Sequence, residues 1–122
     1  MAGTVLKTGA EVYFDIEEQV DAIRSAIINT VPTEQIYLFG SYVTGTFSPE
    51  HRSDLDVYVV LNDGYNKSPI EAMQEIGLAI YDKKSIPTDI LANKRSRFDE
   101  LAQVTTLERE IVNNGRLIYA KQ

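Results

Sequence analysis

The chain has 122 residues, no Cys and no Trp, and its 18 acidic and 12 basic side chains give a formal net charge of -6. Its length predicts a single domain over residues 1–122 that buries roughly two-thirds of the surface of the unfolded chain. The lack of Cys excludes disulfides, zinc–thiolate sites and thiol nucleophiles, and the acidic balance argues against binding to duplex nucleic acid or an anionic membrane.

The first third of the chain predicts a helix and then a buried strand. Residues 1–13 give a weak signal, typical of either a short strand or a loose arm. Asp15 and Glu18 form a capping-box pattern, and apolar residues then recur at steps of three and four. This predicts an amphipathic helix that ends near Thr30 and buries Ile16, Val20, Ile23 and Ile27.

The middle of the chain alternates strand and loop signals. Residues 35–39 predict a short buried strand that ends at Gly40-Ser41. Residues 44–52 are rich in Gly, Ser, Pro and charge and predict a loop, with a helical turn possible over 42–45. Residues 54–61 are apolar and β-branched and give the clearest strand.

The remaining sequence predicts two further helices, a strand between them and a weakly helical stretch. Ser68 as N-cap predicts a helix whose buried face is Ile70, Met73, Ile76 or Gly77, and Ile80,. Residues 88–92 predict a short strand, and residues 98–104 are weakly helical. Thr105, with Glu108, predicts the cap of a last helix through Leu107, Ile111 and Val112 that stops at Gly115,. The interleaving predicts an α/β or α+β fold with one small mixed sheet flanked by helices.

Gly40-Ser41 is the first candidate for chemistry. Glycine allows positive φ and close approach of a ligand to the backbone, and a Ser hydroxyl with free N–H groups can bind phosphate oxygens. The alternative is an ordinary turn after a strand, so the pair alone leaves the function open.

Asp54-Leu55-Asp56 is the second candidate. Residues two apart in a strand point to the same side, so the carboxylates of Asp54 and Asp56 project together and repel each other. A divalent cation relieves this repulsion, and carboxylates combined with nucleotide phosphates suit Mg²⁺. The alternative is a solvated strand end, where charges cost little.

Asp89 is the third candidate, because it lies in another short apolar strand. If that strand neighbours the one with Asp56, the three carboxylates can hold two metal ions. Asp63, Asp82 and Asp99 compete for this role, but each has a simpler structural explanation in a turn, at a helix end or within a helix.

The order of these motifs resembles the DNA polymerase β-like nucleotidyltransferases. The resemblance rests on Leu38-Phe39-Gly40-Ser41, on Ser53-Asp54-Leu55-Asp56-Val57 and on the later strand Asp89,. The chain ending, residues 107–119, is similar to the minimal nucleotidyltransferase (MNT) branch. The resemblance covers residues 15–119 and implies the nucleotidyltransferase palm fold.

The resemblance also implies site residues. Gly40 and Ser41 would contact the nucleotide phosphates, and Asp54, Asp56 and Asp89 would be both catalytic and Mg²⁺ ligands, with two ions and ATP as substrate. Tyr42 is either core filler or part of the nucleotide pocket. Many relatives carry a basic residue between the Ser and the next Gly, where this chain has Tyr42-Val43-Thr44. Arg52 is either a solvated loop residue or a substitute that reaches the triphosphate.

For the MNT branch, the resemblance implies an antitoxin that transfers AMP from ATP to a Tyr hydroxyl of a HEPN-type ribonuclease toxin. This predicts a hetero-oligomer or a homo-oligomer. Two alternatives stay open: an antitoxin that neutralises its partner by stoichiometric binding, and a small-molecule transferase of the aminoglycoside type.

The expected location is the cytoplasm. The longest uninterrupted apolar run, residues 57–61, is too short to cross a bilayer, and the first residues have no signal-peptide core,.

Overall fold

The computed structural model describes residues 5–7, 13–44, 54–84 and 86–122. Strands and helices alternate along these residues, which confirms the predicted mixed α/β class. The elements are β1 Val5–Lys7, β2 Tyr13–Asp15, α1 Ile16–Thr30, β3 Thr33–Phe39, α2 Ser41–Thr44, β4 Leu55–Leu61, α3 Pro69–Ile80, β5 Thr88–Lys94, α4 Arg95–Leu101, α5 Leu107–Asn114 and β6 Arg116–Ala120.

The main sheet has four strands in the order β5-β4-β3-β6. β3 runs antiparallel to both β4 and β6, whereas β4 and β5 are parallel and are joined through α3. Near the start of the chain, β1 and β2 form an antiparallel pair. Residues 1–13 were predicted to form either a short strand or a loose arm, and the structure has a strand over Val5–Lys7.

Helices α1 and α3 cover one face of the sheet and enclose the larger core. Side chains alternate along a strand, so every second residue of β4 points to this face. α1 ends next to Val31 and buries five aliphatic residues in the core, and α3 buries three at steps of four. The buried set includes Val20, Ile23, Ile27, Ile36, Leu38, Leu55, Val57, Val59, Leu61, Ala72, Ile76 and Ile80.

The opposite face carries a smaller aromatic cluster under α4 and α5. Phe98 packs against Tyr37 and Tyr58, with ring centroids 5.7 and 5.2 Å away. The Tyr58 hydroxyl donates to Glu108 at 2.7 Å and accepts a hydrogen bond from the Asn93 amide at 2.9 Å. Burial raises the pKa of Tyr58 far above its usual value, so this hydroxyl keeps its proton and ties β5 and α5 to β4.

The capping box of α3 is confirmed, but its predicted buried face is partly wrong. Ser68 accepts from the Glu71 amide and Glu71 accepts from the Ser68 amide. The buried residues are Ala72, Ile76 and Ile80, whereas Ile70 and Gly77 are exposed. Ile70 precedes Ala72 by two residues, about 200° around the helix, and therefore points away from the sheet.

The C-terminal elements differ from the prediction in their bounds. α4 begins at Arg95, directly after β5, rather than near Phe98. α5 is capped by Thr106, whose hydroxyl accepts from the Arg109 amide at 3.2 Å, one residue after the predicted cap. In α5 only Ile111 is buried. The edge strand β6 was not predicted, because its residues are mostly exposed and are held by pairing with β3.

Among the helices in the described part of the chain, none has both the length and the apolar character needed to cross a bilayer.

An ion pair links β6 to the start of α1. The two guanidinium nitrogens of Arg116 donate to the two carboxylate oxygens of Glu17 at 2.8 and 3.0 Å. This bidentate hydrogen bond lowers the pKa of Glu17 below its usual value, against the opposing effect of partial burial.

Tyr58→Phe tests the buried hydroxyl network. The variant leaves Asn93 and Glu108 without their shared partner, so we expect a loss of about 1–2 kcal/mol in the free energy of unfolding, measured by urea denaturation. Tyr37→Phe is the matched control, since its hydroxyl makes only a 3.4 Å contact with Gln35. Equal losses in both variants would contradict the assigned role of Tyr58.

Arg116→Gln tests the ion pair through its pH dependence. A carboxyl with a lowered folded-state pKa stabilises the fold above its unfolded pKa, and this contribution disappears as the pH falls through the folded pKa. We therefore expect wild type to exceed the variant by about 0.5 kcal/mol at pH 7 and by nearly nothing at about pH 2.5, since the pair is largely exposed. A difference independent of pH would refute this role.

Candidate functional site

Three strand ends meet at one end of the main sheet. β3 ends where β4 begins because the two are antiparallel, and β5 begins beside β4 because those two are parallel. The register pairs Asp56 with Phe39 on one side and with Asp89 on the other. The condition on which the choice of Asp89 depended, that its strand neighbours the Asp56 strand, is met.

Gly40 makes a sharp bend directly after β3. Its φ is +78°, a conformation that residues with a side chain rarely adopt,. A Cβ at this position would lie 2.2 Å from the Asp56 Oδ2 atom. The Asp56 carboxylate therefore packs against bare backbone, and glycine is required here for both conformation and space. The chain then enters α2, where the Val43 amide donates to the Gly40 carbonyl at 3.0 Å.

Partial burial, followed by repulsion among carboxylates, makes negative charge unfavourable at this end of the sheet. Partial burial raises the pKa of Asp56, and the charges of Asp89 and Asp54 raise it further. Partial loss of solvent raises the pKa of Asp89, and a hydrogen-bonding contact with Asp54 adds to the effect. We call Asp54, Asp56 and Asp89 the carboxylate cluster. Asp54 and Asp89 make it harder for Asp56 to hold a negative charge, and Asp54 has the same effect on Asp89.

Such a cluster is stabilised by a proton or a cation. Carboxylate oxygens are hard ligands that suit Mg²⁺, and a divalent ion would relieve the repulsion. Within residues 13–44, 54–84 and 86–122, no three His, Asp or Glu side chains form a metal-binding group. Asp54 and Asp89 instead contact each other. The carboxylate oxygens of the three residues are of the chemical type that binds Mg²⁺, although they do not form a three-ligand group in the described residues,.

The residues predicted around Gly40 lie beside the cluster. Ser41 is the first residue of α2, which spans Ser41–Thr44 and contains no basic residue. Tyr42 is half-buried, and its pKa is raised by burial and by the charge of Asp54. Asp54 immediately precedes β4, which begins at Leu55, where the Leu55 amide donates to the Pro87 carbonyl. Arg52 lies outside the described residues.

The competing acidic residues are engaged elsewhere. Asp63 accepts hydrogen bonds from the Ser96 amide and hydroxyl at 2.9 and 3.0 Å, at the start of α4. Asp82 pairs with Lys83, and Asp99 pairs with Arg95. These contacts support the choice of Asp89 as the third member of the cluster.

Lys84 is a charged neighbour of the cluster that the sequence analysis did not identify. Lys83 and Lys84 follow α3, where basic residues ordinarily neutralise a helix C-terminus,. In the structure the charge of Lys84 lowers the pKa of Asp89, against the effects that raise it. The order of the predicted elements could have indicated that Lys84 lies near Asp89, because the connection from α3 to β5 must return to the end of the sheet where Asp89 lies.

Comparisons with known proteins identify the family and agree with the fold. The family model described as polymerase beta, nucleotidyltransferase matches residues 21–122. A crystal structure described as a toxin-antitoxin with AMP-PNP has a TM-score of 0.53 at 24% identity, covering 84% of this chain and 73% of that chain. A Sulfolobus solfataricus protein assigned as a nucleotidyltransferase has a TM-score of 0.50 at 15% identity, covering 87% and 86%. A search of curated proteins gave no match.

Gly40→Ala tests the bend. The variant combines an unfavourable φ with displacement of the Asp56 carboxylate, so we expect a loss of about 1–3 kcal/mol in the free energy of unfolding, measured by urea denaturation. Gly64→Ala is the control, because its Cβ meets only the end of the Asn62 side chain at 2.9 Å. A Gly40→Ala variant as stable as wild type would contradict the close packing against Asp56.

Proposed function

We propose that this chain, which belongs to the polymerase β family of nucleotidyltransferases, is a Mg²⁺-dependent enzyme that transfers AMP from ATP to a hydroxyl group of a partner protein. In this proposal it is a cytoplasmic antitoxin of the MNT type, and its partner is a HEPN-type toxin that presents a Tyr hydroxyl. The carboxylate cluster next to the Gly40 bend is the observation that carries the proposal.

The carboxylate cluster and the bend at Gly40 would together form a nucleotide-binding site. Close packing of the Asp56 carboxylate against Gly40 leaves the start of α2 beside the acidic residues. Phosphate oxygens are negative and would be repelled by the three carboxylates, so a nucleotide would bind here together with a cation. Mg²⁺, when bound, supplies that positive charge to the phosphates and lowers the pKa of the attacking hydroxyl. Asp54, Asp56 and Asp89 would hold it.

The proposed reaction is a single displacement at the α-phosphorus of ATP. The acceptor oxygen forms a bond to that phosphorus, and the bond to the bridging oxygen of the β-phosphate breaks. Pyrophosphate leaves with the electron pair of the broken bond. The hydroxyl proton passes to the Asp89 carboxylate, which the β4–β5 register places level with Asp56,.

Groups at either side of the cluster complete the proposed site. Ser41 donates its hydroxyl to a phosphate oxygen, and Tyr42 lines the pocket beside Asp54. Lys84 contributes the positive charge that α2 lacks, since it already acts on Asp89. Arg52 is a further candidate for contact with the triphosphate.

Two findings support the proposed substrate and partner. The structure described as a toxin-antitoxin with AMP-PNP contains an analogue of ATP, which supports an adenine nucleotide as the donor. The same description names a toxin and an antitoxin together, which supports a partner protein as the source of the acceptor. The HEPN identity of the partner and the Tyr acceptor rest on the resemblance to the MNT branch.

Asp54→Asn with Asp56→Asn tests the proposed activity. The double variant keeps the side-chain shape and removes two charges, so we expect AMP transfer to fall at least about 1,000-fold. The measurement is incubation with Mg-ATP and the protein encoded by the adjacent reading frame, followed by intact mass determination of both chains.

The matched control is Asp99→Asn with Glu100→Gln, which removes the same charge from side chains of α4 that are 58% and 68% exposed. We expect this control to transfer AMP at the wild-type rate. An unmodified neighbour in the wild-type reaction, with toxicity still neutralised by the Asp54/Asp56 variant, would instead establish stoichiometric binding as the function.

A further inference from the structure

The outer face of α3 carries an apolar stripe that no described element covers. Ile70, Leu78 and Tyr81 are 64%, 79% and 78% exposed. At about 100° per residue, these positions and Gln74 and Gly77 fall on one side of the helix, opposite the buried face. We call Ile70, Gln74, Gly77, Leu78 and Tyr81 the α3 stripe. Large apolar side chains so exposed along one helix face are typical of a binding surface.

Gly77 leaves a gap in the α3 stripe, which we call the notch. The packing of the described residues does not require glycine at this position. A Cβ at Gly77 would meet no atom within 4 Å. Glycine inside a helix costs stability relative to alanine. Its neighbours on the stripe, Ile70, Leu78 and Tyr81, have large side chains, so the missing Cβ leaves a depression among them. A depression that none of the described residues fills is suited to a side chain from another molecule.

Acidic residues border the stripe on one side. Glu71, Glu75 and Asp82 follow the stripe positions around the helix, whereas the other side turns back to the buried face,. Lys67 contacts Glu75 at 3.1 Å and Lys83 contacts Asp82 at 3.3 Å. These ion pairs are largely exposed and therefore weak, so a partner's cations can replace them. A partner whose contact surface carries basic side chains along one border would therefore complement these acidic residues.

The stripe leads towards the carboxylate cluster. α3 connects the parallel strands β4 and β5, so its C-terminal end lies at the end of the sheet where β5 begins. Tyr81 follows the last residue of α3, and Lys84, three residues later, is near enough to Asp89 to influence its pKa. A molecule bound along the stripe therefore lies next to the groups proposed to act on the acceptor.

We propose that the α3 stripe is the docking surface for the acceptor protein, an inference that rests on the proposed function. The partner presents an apolar helix face, with a large side chain seated at Gly77 and basic residues along the Glu71–Asp82 border. A second copy of this chain fits less well. Each copy carries a formal charge of -6, and antiparallel packing of two stripes about a two-fold axis would bring the acidic border against itself.

Gly77→Ala separates folding from docking. Since alanine is the better helix former and its Cβ meets nothing, we expect Tm to rise by roughly 3–6 °C. The same variant fills the notch, so we expect the affinity for the protein encoded by the adjacent reading frame to fall at least about 10-fold. Leu78→Gln, at the most exposed apolar residue of the stripe, should weaken binding to a similar extent.

Val112→Gln is the matched control, because Val112 is an exposed apolar residue of α5, 47% exposed, on the other side of the sheet. The measurement is isothermal titration of the purified neighbour, with AMP transfer followed in parallel by intact mass. Affinity that is unchanged in Gly77→Ala and Leu78→Gln, or no binding by wild type, overturns the docking surface. A concentration-dependent homodimer of wild type that both substitutions disrupt also overturns it.

Failure of the two proposals can be distinguished. If wild type transfers AMP and the stripe variants bind and transfer equally well, the docking surface is wrong and the proposed function stands. If wild type binds the neighbour without transferring AMP, and the stripe variants lose that binding, the docking surface stands and the transferase proposal fails.

Discussion

The contact between the Asp56 carboxylate and the backbone of Gly40 is the constraint on which the rest of the site depends. It fixes the end of β3 against the start of β4 and requires glycine in a conformation that other residues avoid. The same contact holds Asp56 beside Asp54 and Asp89, where burial and repulsion raise its pKa. A chain selected only for stability would not gather three carboxylates at this point.

The two cores of the sheet hold this unfavourable arrangement in place. Aliphatic packing under α1 and α3 anchors β4 along one face, and the Tyr58 hydroxyl links β4 to β5 and α5 on the other. The parallel β4–β5 pairing is what brings Asp56 level with Asp89. The crossover through α3 then directs Lys84 towards the cluster and leaves one helix face uncovered. In the two proposals, stability, catalysis and partner binding thus fall on different faces of the same few elements.

Much of the fold and of the candidate site could be predicted from the sequence, because strong local signals mark them. The capping box at Ser68 and the bend at Gly40 are encoded by adjacent residues, and both lie where the patterns indicated. Tertiary context decided the rest: Lys84 reaches Asp89 only through the path of the chain, and Ile70 is exposed because α3 packs on a different face. The residues of the edge strand β6 show no clear hydrophobic pattern in the sequence, because the strand is held mainly by its pairing with β3.

Under the proposed function, the carboxylate cluster destabilises the fold until a cation and a nucleotide bind. Thermal unfolding of the metal-free chain, with and without Mg²⁺ and a non-hydrolysable ATP analogue, tests it most directly. At about 100 times the dissociation constant, bound Mg-nucleotide should stabilise the wild type by about 2.7 kcal/mol, and Asp56→Asn should abolish most of this gain. An unchanged Tm in the wild type, or an equal rise in Asp56→Asn, would contradict the account.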